Sequence, residues 1–250
     1  SRDLTGDANE LVGGDTLRYT IVIRNVGDEP SVNTRFFDNV PGNTTYVPSS
    51  TTLNGVTVPD VGGASPLTQP GGLLIQSDDA ATSIPASGVV NNQLGGVTVA
   101  TVSFDVVVNS GLLDGTVILN QGTVMGEGAG SGPYTPVPTD DPTTADGPDP
   151  TIDFVGNAPF VDATKVAEYT APLAVNDLFT YVVSLTNLGN EPANNVVLSD
   201  LVDPALLTFE AGTLSYDDGS GFAPLTDAGG DDAGDFGQTT ANTVTVNVGT

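Results

Sequence analysis

The chain has 250 residues, is rich in glycine and proline (31 and 18 residues), and carries a net charge of −26 at pH 7. With 31 acidic side chains against five basic ones, it lacks the basic surface that nucleic acids and anionic lipids require, so we expect neither nucleic-acid binding nor membrane insertion. Cysteine, histidine and tryptophan are absent, which excludes disulfides, Cys/His zinc sites and imidazole-based catalysis, and we expect no enzyme activity.

A first β-strand is predicted at residues 15–25, in the stretch DTLRYTIVIRN. Apolar residues alternate there with mostly polar ones, which is typical of a strand with one buried face. The apolar positions are Leu17, Tyr19, Ile21 and Ile23. A turn follows, because Gly27 can adopt a positive φ and Pro30 cannot donate a hydrogen bond to a sheet. The next run predicts a second strand with Thr34 and Phe36 on one face.

Three further segments of the first half also predict strands. Asn54-Gly55, inside TTLNGVTV, is the strongest short signal for a hairpin turn. Residues 97–109 predict a long alternating strand, and residues 115–124 predict the final one. The apolar side of the long strand consists of Ala100, Val102, Phe104, Val106 and Val108. Seven or more short strands separated by turns indicate a two-sheet sandwich of immunoglobulin-like type.

The same pattern occurs a second time, because residues 15–40 align with residues 177–202 without a gap. The identical pairs are Asp15/Asp177, Tyr19/Tyr181, Asn25/Asn187, Gly27/Gly189, Glu29/Glu191, Pro30/Pro192, Asn33/Asn195, Asp38/Asp200 and Val40/Val202. The second copy also has its own hairpin signal at residues 217–219. Such self-similarity indicates two copies of one domain. The predicted fold is therefore all-β, with two tandem immunoglobulin-like antiparallel β-sandwich domains at residues 1–130 and 159–250.

An acidic linker rich in proline and glycine is predicted between the two domains, at residues 131–158. Its aspartates can supply the oxygen ligands that Ca²⁺ prefers. The candidate calcium ligands are Asp140, Asp141, Asp146 and Asp149. The spacing does not match an EF-hand loop, so a solvated linker without metal is the alternative, as is an acidic surface suited to a salty habitat. The same alternatives apply to the aspartate-rich residues 227–235.

The stretch GDTLRYTIVIRNVGDEP and its echo NDLFTYVVSLTNLGNEPANNVVLSD resemble a conserved tandem repeat of unknown function found in large bacterial and archaeal surface proteins. The resemblance covers about twenty-five residues of each copy. Three positions depart from the family pattern: Asn176 replaces a glycine, Ser31 replaces an alanine, and Pro204 falls one residue late. The resemblance implies extracellular immunoglobulin-like modules joined into stalks, walls or fibres, and it implies no catalytic residues.

Lys165 is the only lysine of the chain and lies on the predicted first strand of the second copy. Related surface modules carry a lysine that joins covalently to an Asn or Asp side chain beside a buried acid. That reaction requires a desolvated amine with a lowered pKa. The alternative, which we favour, is a lysine whose stem covers apolar surface while its amine stays in water.

The second copy reaches residue 250 without counterparts of residues 97–109 and 115–124. Either the chain is part of a longer repeat array, or a strand from a neighbouring subunit completes the fold. We therefore expect a structural protein, secreted or on the cell surface, that forms a filament or stalk with copies of itself and is rigidified by calcium. The alternative is a calcium-dependent adhesin that binds a glycan, the cell wall or a surface receptor.

Overall fold

A computed structural model describes residues 1–6, 10–78, 82–144 and 147–249. The strands in chain order are β1 (Arg2–Asp3), β2 (Thr16–Arg24), β3 (Ser31–Phe37), β4 (Thr44–Tyr46), β5 (Thr52–Leu53), β6 (Val56–Thr57), β7 (Leu73–Leu74), β8 (Val99–Val108), β9 (Val117–Asn120), β10 (Thr123–Gly128), β11 (Gly132–Pro133), β12 (Val137–Pro138), β13 (Thr151–Phe154), β14 (Val161–Glu168), β15 (Thr180–Asn187), β16 (Val196–Leu201), β17 (Ser215–Tyr216), β18 (Ala223–Pro224), β19 (Gly234–Phe236) and β20 (Thr243–Gly249). One 3₁₀ turn, Pro66–Thr68, lies between β6 and β7. The predicted all-β class is confirmed.

The chain divides into two compact units. Unit 1 consists of residues 1–158 and 164–183, and unit 2 of residues 159–163 and 184–250. The predicted boundaries of the repeats and of the linker stay a prediction. Among the residues that the structure describes, no helix is long and apolar enough to cross a bilayer.

The first sheet of unit 1 has the strand order β1-β2-β8-β5-β6, and β4 also pairs with β8. Strands β2 and β8 form its longest ladder, which runs antiparallel from Thr16 opposite Val107 to Arg24 opposite Val99. The predicted alternation of both strands is confirmed, because Leu17 and Tyr19 are buried in β2 and all five apolar positions of β8 are buried. Arg18, on the outer face, forms a two-pronged ion pair with Asp105 at 2.7 and 2.8 Å.

The second sheet of unit 1 has the order β11-β10-β3-β7, with β12 also paired to β10. Thr34 and Phe36 of β3 are both buried, as the sequence predicts. The pairing of β3 with β10 shifts register between Met125 and Glu127, so the sheet contains a bulge. The extra residue is on β3, where Asn33 and Thr34 lie opposite the single residue Gly126, and Asn33 has φ = 50°, a left-handed conformation that asparagine tolerates better than most residues.

Both sheets contribute to one hydrophobic core, which gives unit 1 a sandwich-like character. Leu17, Tyr19 and Phe104 enter it from the first sheet, and Phe36 and Leu73 enter it from the second. The rings of Tyr19 and Phe104 stack across the β2–β8 ladder with centroids 5.4 Å apart. An immunoglobulin-like order of connections stays a prediction.

The two predicted hairpins are confirmed. Strands β5 and β6 pair around Asn54 and Gly55, whose φ values of 50° and 79° match the left-handed pair that a tight two-residue turn requires. Strands β17 and β18 pair around the loop 217–222, as the second signal predicts. Local turn chemistry therefore determines both hairpins.

The predicted final strand of the first copy, residues 115–124, is wrong in one respect. It consists of two strands in different sheets: β9 pairs with β13, whereas β10 pairs with β3. The change occurs at Gly122, where a Cβ would collide with the ring of Phe36. The glycine lets the chain pass close over the core and cross from one sheet to the other.

The described residues of the segment predicted as a linker belong to unit 1 and contribute strands to it. Strands β11 and β12 pair with β10, and β13 pairs with β9 from Thr151 opposite Asn120 to Phe154 opposite Val117. Asp141, between β12 and β13, is buried. These strands therefore extend the sheet pairing of unit 1.

Unit 2 contains the antiparallel sheet β16-β20-β19 and the hairpin β17–β18. Among the described residues of unit 2, Val246 has the one apolar side chain that is buried. The rings of Phe209 and Phe236 stack with their centroids 4.1 Å apart. Strands β14 and β15 form a separate two-stranded sheet, and the boundary between the units runs through it.

Candidate functional site

The repeated segment, residues 15–40 and 177–202, has the same local structure at several positions in both copies. The Nδ2 of Asn25 donates to the carbonyl of Glu29 at 2.9 Å, and the corresponding bond from Asn187 to Glu191 is 2.8 Å. The amide of the glycine two residues after each asparagine donates back to its Oδ1, at 2.9 and 3.0 Å. Each asparagine side chain therefore ties the turn that follows its strand.

Two other identical pairs behave in the same way. Asp15 accepts the amide of Val12 at 2.8 Å, and Asp177 accepts the amide of Ala174 at 2.7 Å. The left-handed φ of Asn33 recurs at Asn195, where φ is 57°. Turns and strand entries therefore account for three of the identical pairs: Asp15/Asp177, Asn25/Asn187 and Asn33/Asn195.

The structure describes three of the four candidate calcium ligands, Asp140, Asp141 and Asp149, whereas Asp146 lies outside the described residues. The amide and hydroxyl of Thr143 donate to Oδ1 of Asp141 at 2.9 and 2.7 Å. The hydroxyl of Thr144 lies 3.0 Å from both carboxylate oxygens of Asp149. The amide of Asp149 donates to Asp140 at 3.4 Å. Threonine and backbone donors therefore bridge these carboxylates in the structure.

The electrostatics of Asp141 follow from those bonds. Burial alone would raise the pKa of its carboxyl, but the hydrogen bonds from Thr143 and the Ile152 backbone, with the positive chain terminus, together outweigh burial and lower the pKa below its ordinary value. Across the described residues, no group of three or more acidic side chains is arranged to hold a metal ion. In the loop 227–235, Asp231 and Asp232 likewise accept bonds from the hydroxyl and the amide of Thr226. Calcium binding by either segment stays a prediction.

Lys165 lies on β14 with an exposed side chain, and its Nζ is 4.1 Å from the centre of the Tyr181 ring. This geometry is a cation–π contact at the surface. A covalent cross-link requires a desolvated amine beside a carboxyl, so the exposure of Lys165 favours the alternative of a lysine that keeps its amine in water.

A buried carboxyl that our sequence analysis does not single out as a site is Asp38, which is 5% exposed at the end of β3. Its Oδ2 accepts the Nδ2 of Asn120 at 3.1 Å, and its Oδ1 has no partner among the described residues. Burial raises the pKa of Asp38 to about 7, although the bond from Asn120 and a backbone bond from Asn39 partly oppose this. Only the contact of Asp38 with Asn120, 82 residues away in the sequence, reveals this environment.

Tyr19 is linked to a second carboxylate of unit 1. Its hydroxyl donates to Oδ2 of Asp153 on β13 at 3.0 Å. Burial, followed by the negative charge of Asp153, raises the pKa of Tyr19. The bond thereby links the acidic segment to the core strand β2.

Strand β2 has one edge that is largely unpaired. The carbonyl of Thr16 accepts from Leu4, and its amide donates to Thr5 Oγ1, so even-numbered residues of β2 direct their backbone groups toward this edge. β1 covers the edge only as far as Arg18, opposite Arg2. Along the described parts of the chain, no strand pairs with the edge beyond it. The backbone groups of Thr20, Val22 and Arg24 therefore face an open edge.

An apolar groove of about 900 Å³ lies beside this edge, between β2 and the strands β10 and β12. Its apolar lining includes Ile21, Ile23, Val124, Tyr134 and Val137. Groove and edge together form what we name the open edge of unit 1: the free backbone groups of β2 and the apolar surface behind them. Such an edge accepts an added strand, with backbone bonds to β2 and side chains in the groove.

The second copy exposes a residue that the first copy buries. Tyr19 is 2% exposed because β8 lies beside β2, whereas its counterpart Tyr181 on β15 is 44% exposed. Within the described residues, β15 pairs with β14 and with no strand on its other side. The side chains of Val166, Val175 and Leu178 on and beside this hairpin are also more than half exposed. The hairpin therefore presents an unpaired edge and an uncovered apolar surface.

Comparison with known proteins identifies no relative. No protein-family model, no curated protein and no solved structure matches the chain.

Proposed function

We propose that this chain is a structural extracellular protein: a subunit or segment of a surface filament or stalk built from immunoglobulin-like repeats, without enzymatic activity. The observation that carries the proposal is the open edge of unit 1, where free backbone groups of β2 adjoin an apolar groove of about 900 Å³. Proteins that remain monomeric block such edges with short strands, proline or covering loops, because an exposed edge recruits other chains.

The unpaired edge of β15 supports the same proposal. A chain with two different adhesive surfaces makes heterologous contacts, which generate open filaments unless the rotation closes a ring. The net charge of −26 keeps such a chain soluble and discourages nonspecific aggregation. The internal repeat supports an array, because neighbouring modules of one type can pack in one way.

Electron microscopy of the purified full chain at increasing concentration tests this function, together with sedimentation velocity. We expect filaments of constant width with a regular axial repeat, and a sedimentation coefficient that rises with concentration. A chain that stays monomeric at every concentration would overturn the proposal. Glycan binding that disappears with a chelator would instead favour the adhesin.

We further propose that calcium stiffens the assembly at Asp140, Asp141, Asp146 and Asp149, because Ca²⁺ neutralises carboxylates that otherwise repel each other. Chelation should lower the thermal midpoint of the wild-type chain in low salt, and Asp149→Asn should remove that response. Asp28→Asn, which removes an equal charge from an exposed turn, is the matched control. An identical midpoint with and without chelator would exclude the calcium site.

A further inference from the structure

The proposed function leaves open which surfaces join, and on that basis we propose that β2 of one copy pairs with β15 of a second copy, head to tail. In this junction β15 lies on the open edge of unit 1, and its inward side chains fill the groove. Each chain uses β2 at one junction and β15 at the next, so the contact repeats from copy to copy and builds an open filament unless the rotation closes a ring.

The backbone of β2 is prepared for this pairing. The donors and acceptors of Thr20, Val22 and Arg24 point to the open edge, while their side chains are exposed on the outer face. Val22 is 59% exposed. A strand added in the parallel direction would form bonds with all three residues without displacing any existing strand.

The backbone of β15 presents the complementary edge. The amide of Leu188 donates to the carbonyl of Phe160, so even-numbered positions face β14 and odd-numbered positions face away from it. The repeat gives the same parity, since Tyr19, the counterpart of Tyr181, belongs to the positions that bond β8. Tyr181, Val183 and Leu185 therefore direct their backbone groups to the unpaired edge of β15.

The side chains of β15 suit the groove because they repeat the pattern of β2. Phe179, Tyr181, Val183 and Leu185 alternate with mostly polar residues, and they share one face of the strand. In the first copy the same pattern packs beside β8, with the rings of Tyr19 and Phe104 stacked. In a parallel pair the bonded positions of the two strands carry their side chains on opposite faces, so Tyr181, Val183 and Leu185 lie on the groove side while Val22 stays outside. Parallel pairing of β15 with β2 of another copy therefore continues one apolar face across the junction.

Charge identifies the partner as a second copy of this chain. All four arginines lie on β1, β2 and β3, and the exposed Arg2 and Arg24 lie on the strands that form the open edge. Residues 159–250 hold thirteen acidic side chains and one lysine. A basic edge in an otherwise acidic chain attracts the acidic half of another copy and repels its own kind. This attraction should weaken with added salt, as ions screen exposed charges.

Proline substitutions test the junction without removing an internal hydrogen bond. Val22→Pro and Val183→Pro each replace an amide that faces an unpaired edge, and proline is tolerated at such positions. Val22→Thr and Val183→Thr keep the amide and are the matched controls. We expect each proline variant alone to lose all species larger than the monomer, a weakening of at least about tenfold, since an interfacial bond is lost and the ring obstructs the edge.

The mixture of the two proline variants gives the sharpest result. Each variant retains one intact edge, so a 1:1 mixture should form a heterodimer and nothing longer. Arg24→Glu, which leaves the backbone unchanged, should also weaken association and reduce its salt dependence. Circular dichroism of each variant verifies that the chain is folded.

The outcomes distinguish this inference from the function on which it rests. If the wild-type chain assembles and the proline variants assemble equally well, the β2–β15 junction is wrong while the structural function stands. A Val183→Pro variant that dimerises by itself would show that β2 pairs with β2, which also overturns the junction. A wild-type chain that never associates would overturn the structural function itself.

Discussion

Replacing Asp38 by asparagine should remove most of the pH dependence of unit 1 stability near neutral pH. The carboxyl has a pKa of about 7 in the folded chain, against an ordinary value of 3.8. The folded state therefore binds the Asp38 proton more tightly, and this contribution is fully present below pH 3.8 and is lost as the pH rises through about 7. A difference of about 3 pKa units corresponds to roughly 4 kcal/mol.

The assay is urea unfolding of the wild-type chain and Asp38→Asn between pH 4 and 8.5, with the transition of unit 1 assigned by hydrogen exchange of β8 amides. The asparagine places its side-chain amide NH2 where Oδ1 now lies, and this buried donor without a partner costs about 1–3 kcal/mol at every pH. That constant cancels when the free energy of unfolding of the variant, minus that of the wild type, is compared between pH 8.5 and pH 4. We expect this variant-minus-wild-type value to be about 4 kcal/mol higher at pH 8.5 than at pH 4.

Asp28→Asn is the control, because it removes an equal charge from an exposed turn. Carbon-13 NMR of the Asp38 carboxyl gives an independent measure, and it should show a midpoint near pH 7. A wild-type-minus-variant difference that stays constant within about 1 kcal/mol across this range would refute the buried protonated carboxyl.

Three further predictions concern packing, turns and chemistry. Gly122→Ala should destabilise unit 1 by about 1–3 kcal/mol in urea unfolding, because its methyl group meets the ring of Phe36. The control Gly42→Ala, whose methyl group meets no atom within 4 Å, should be neutral. Equal effects of the two substitutions would contradict the crossing between sheets at Gly122. Asn25→Ala should cost about 1–3 kcal/mol because three hydrogen bonds are lost, and Asn25→Asp, which keeps only the acceptor, should recover part of it. The intact mass should equal that of the sequence, because the amine of Lys165 lies exposed over Tyr181; a mass lower by one ammonia or one water would reveal a cross-link.

The parts of the fold predicted from sequence are those set by local chemistry. The alternation along β2 and β8 follows from which residues prefer water, and the Asn54-Gly55 turn follows from the left-handed φ values that these residues adopt. Both signals are contained within a few residues. The repeat extends this reach, because it assigns the same local structure to Asn25 and Asn187.

The features that the sequence does not predict depend on which strands become neighbours in the fold. Residues 115–124 alternate like one strand, yet the close approach of Phe36 to Gly122 divides them between two sheets. The burial of Asp38 depends on Asn120, 82 residues away. One feature of the sequence indicates the open edge: β2 carries arginines at the outward positions 18 and 24, and charged residues are typical of edge strands.

The contrast between Tyr19 and Tyr181 shows why exposed strands of this kind favour association. The two residues occupy the same position of the repeat, yet one is 2% exposed and the other 44%. A buried aromatic side chain covers about 150–250 Å², so covering Tyr181 as fully as Tyr19 removes on the order of 80 Å² from water. At about 25 cal/mol per Å² this burial contributes about 2 kcal/mol, roughly a quarter of what micromolar affinity requires. The remainder must come from the backbone bonds of the two edges and the aliphatic residues of the groove, so the junction requires a whole strand rather than a single anchoring side chain.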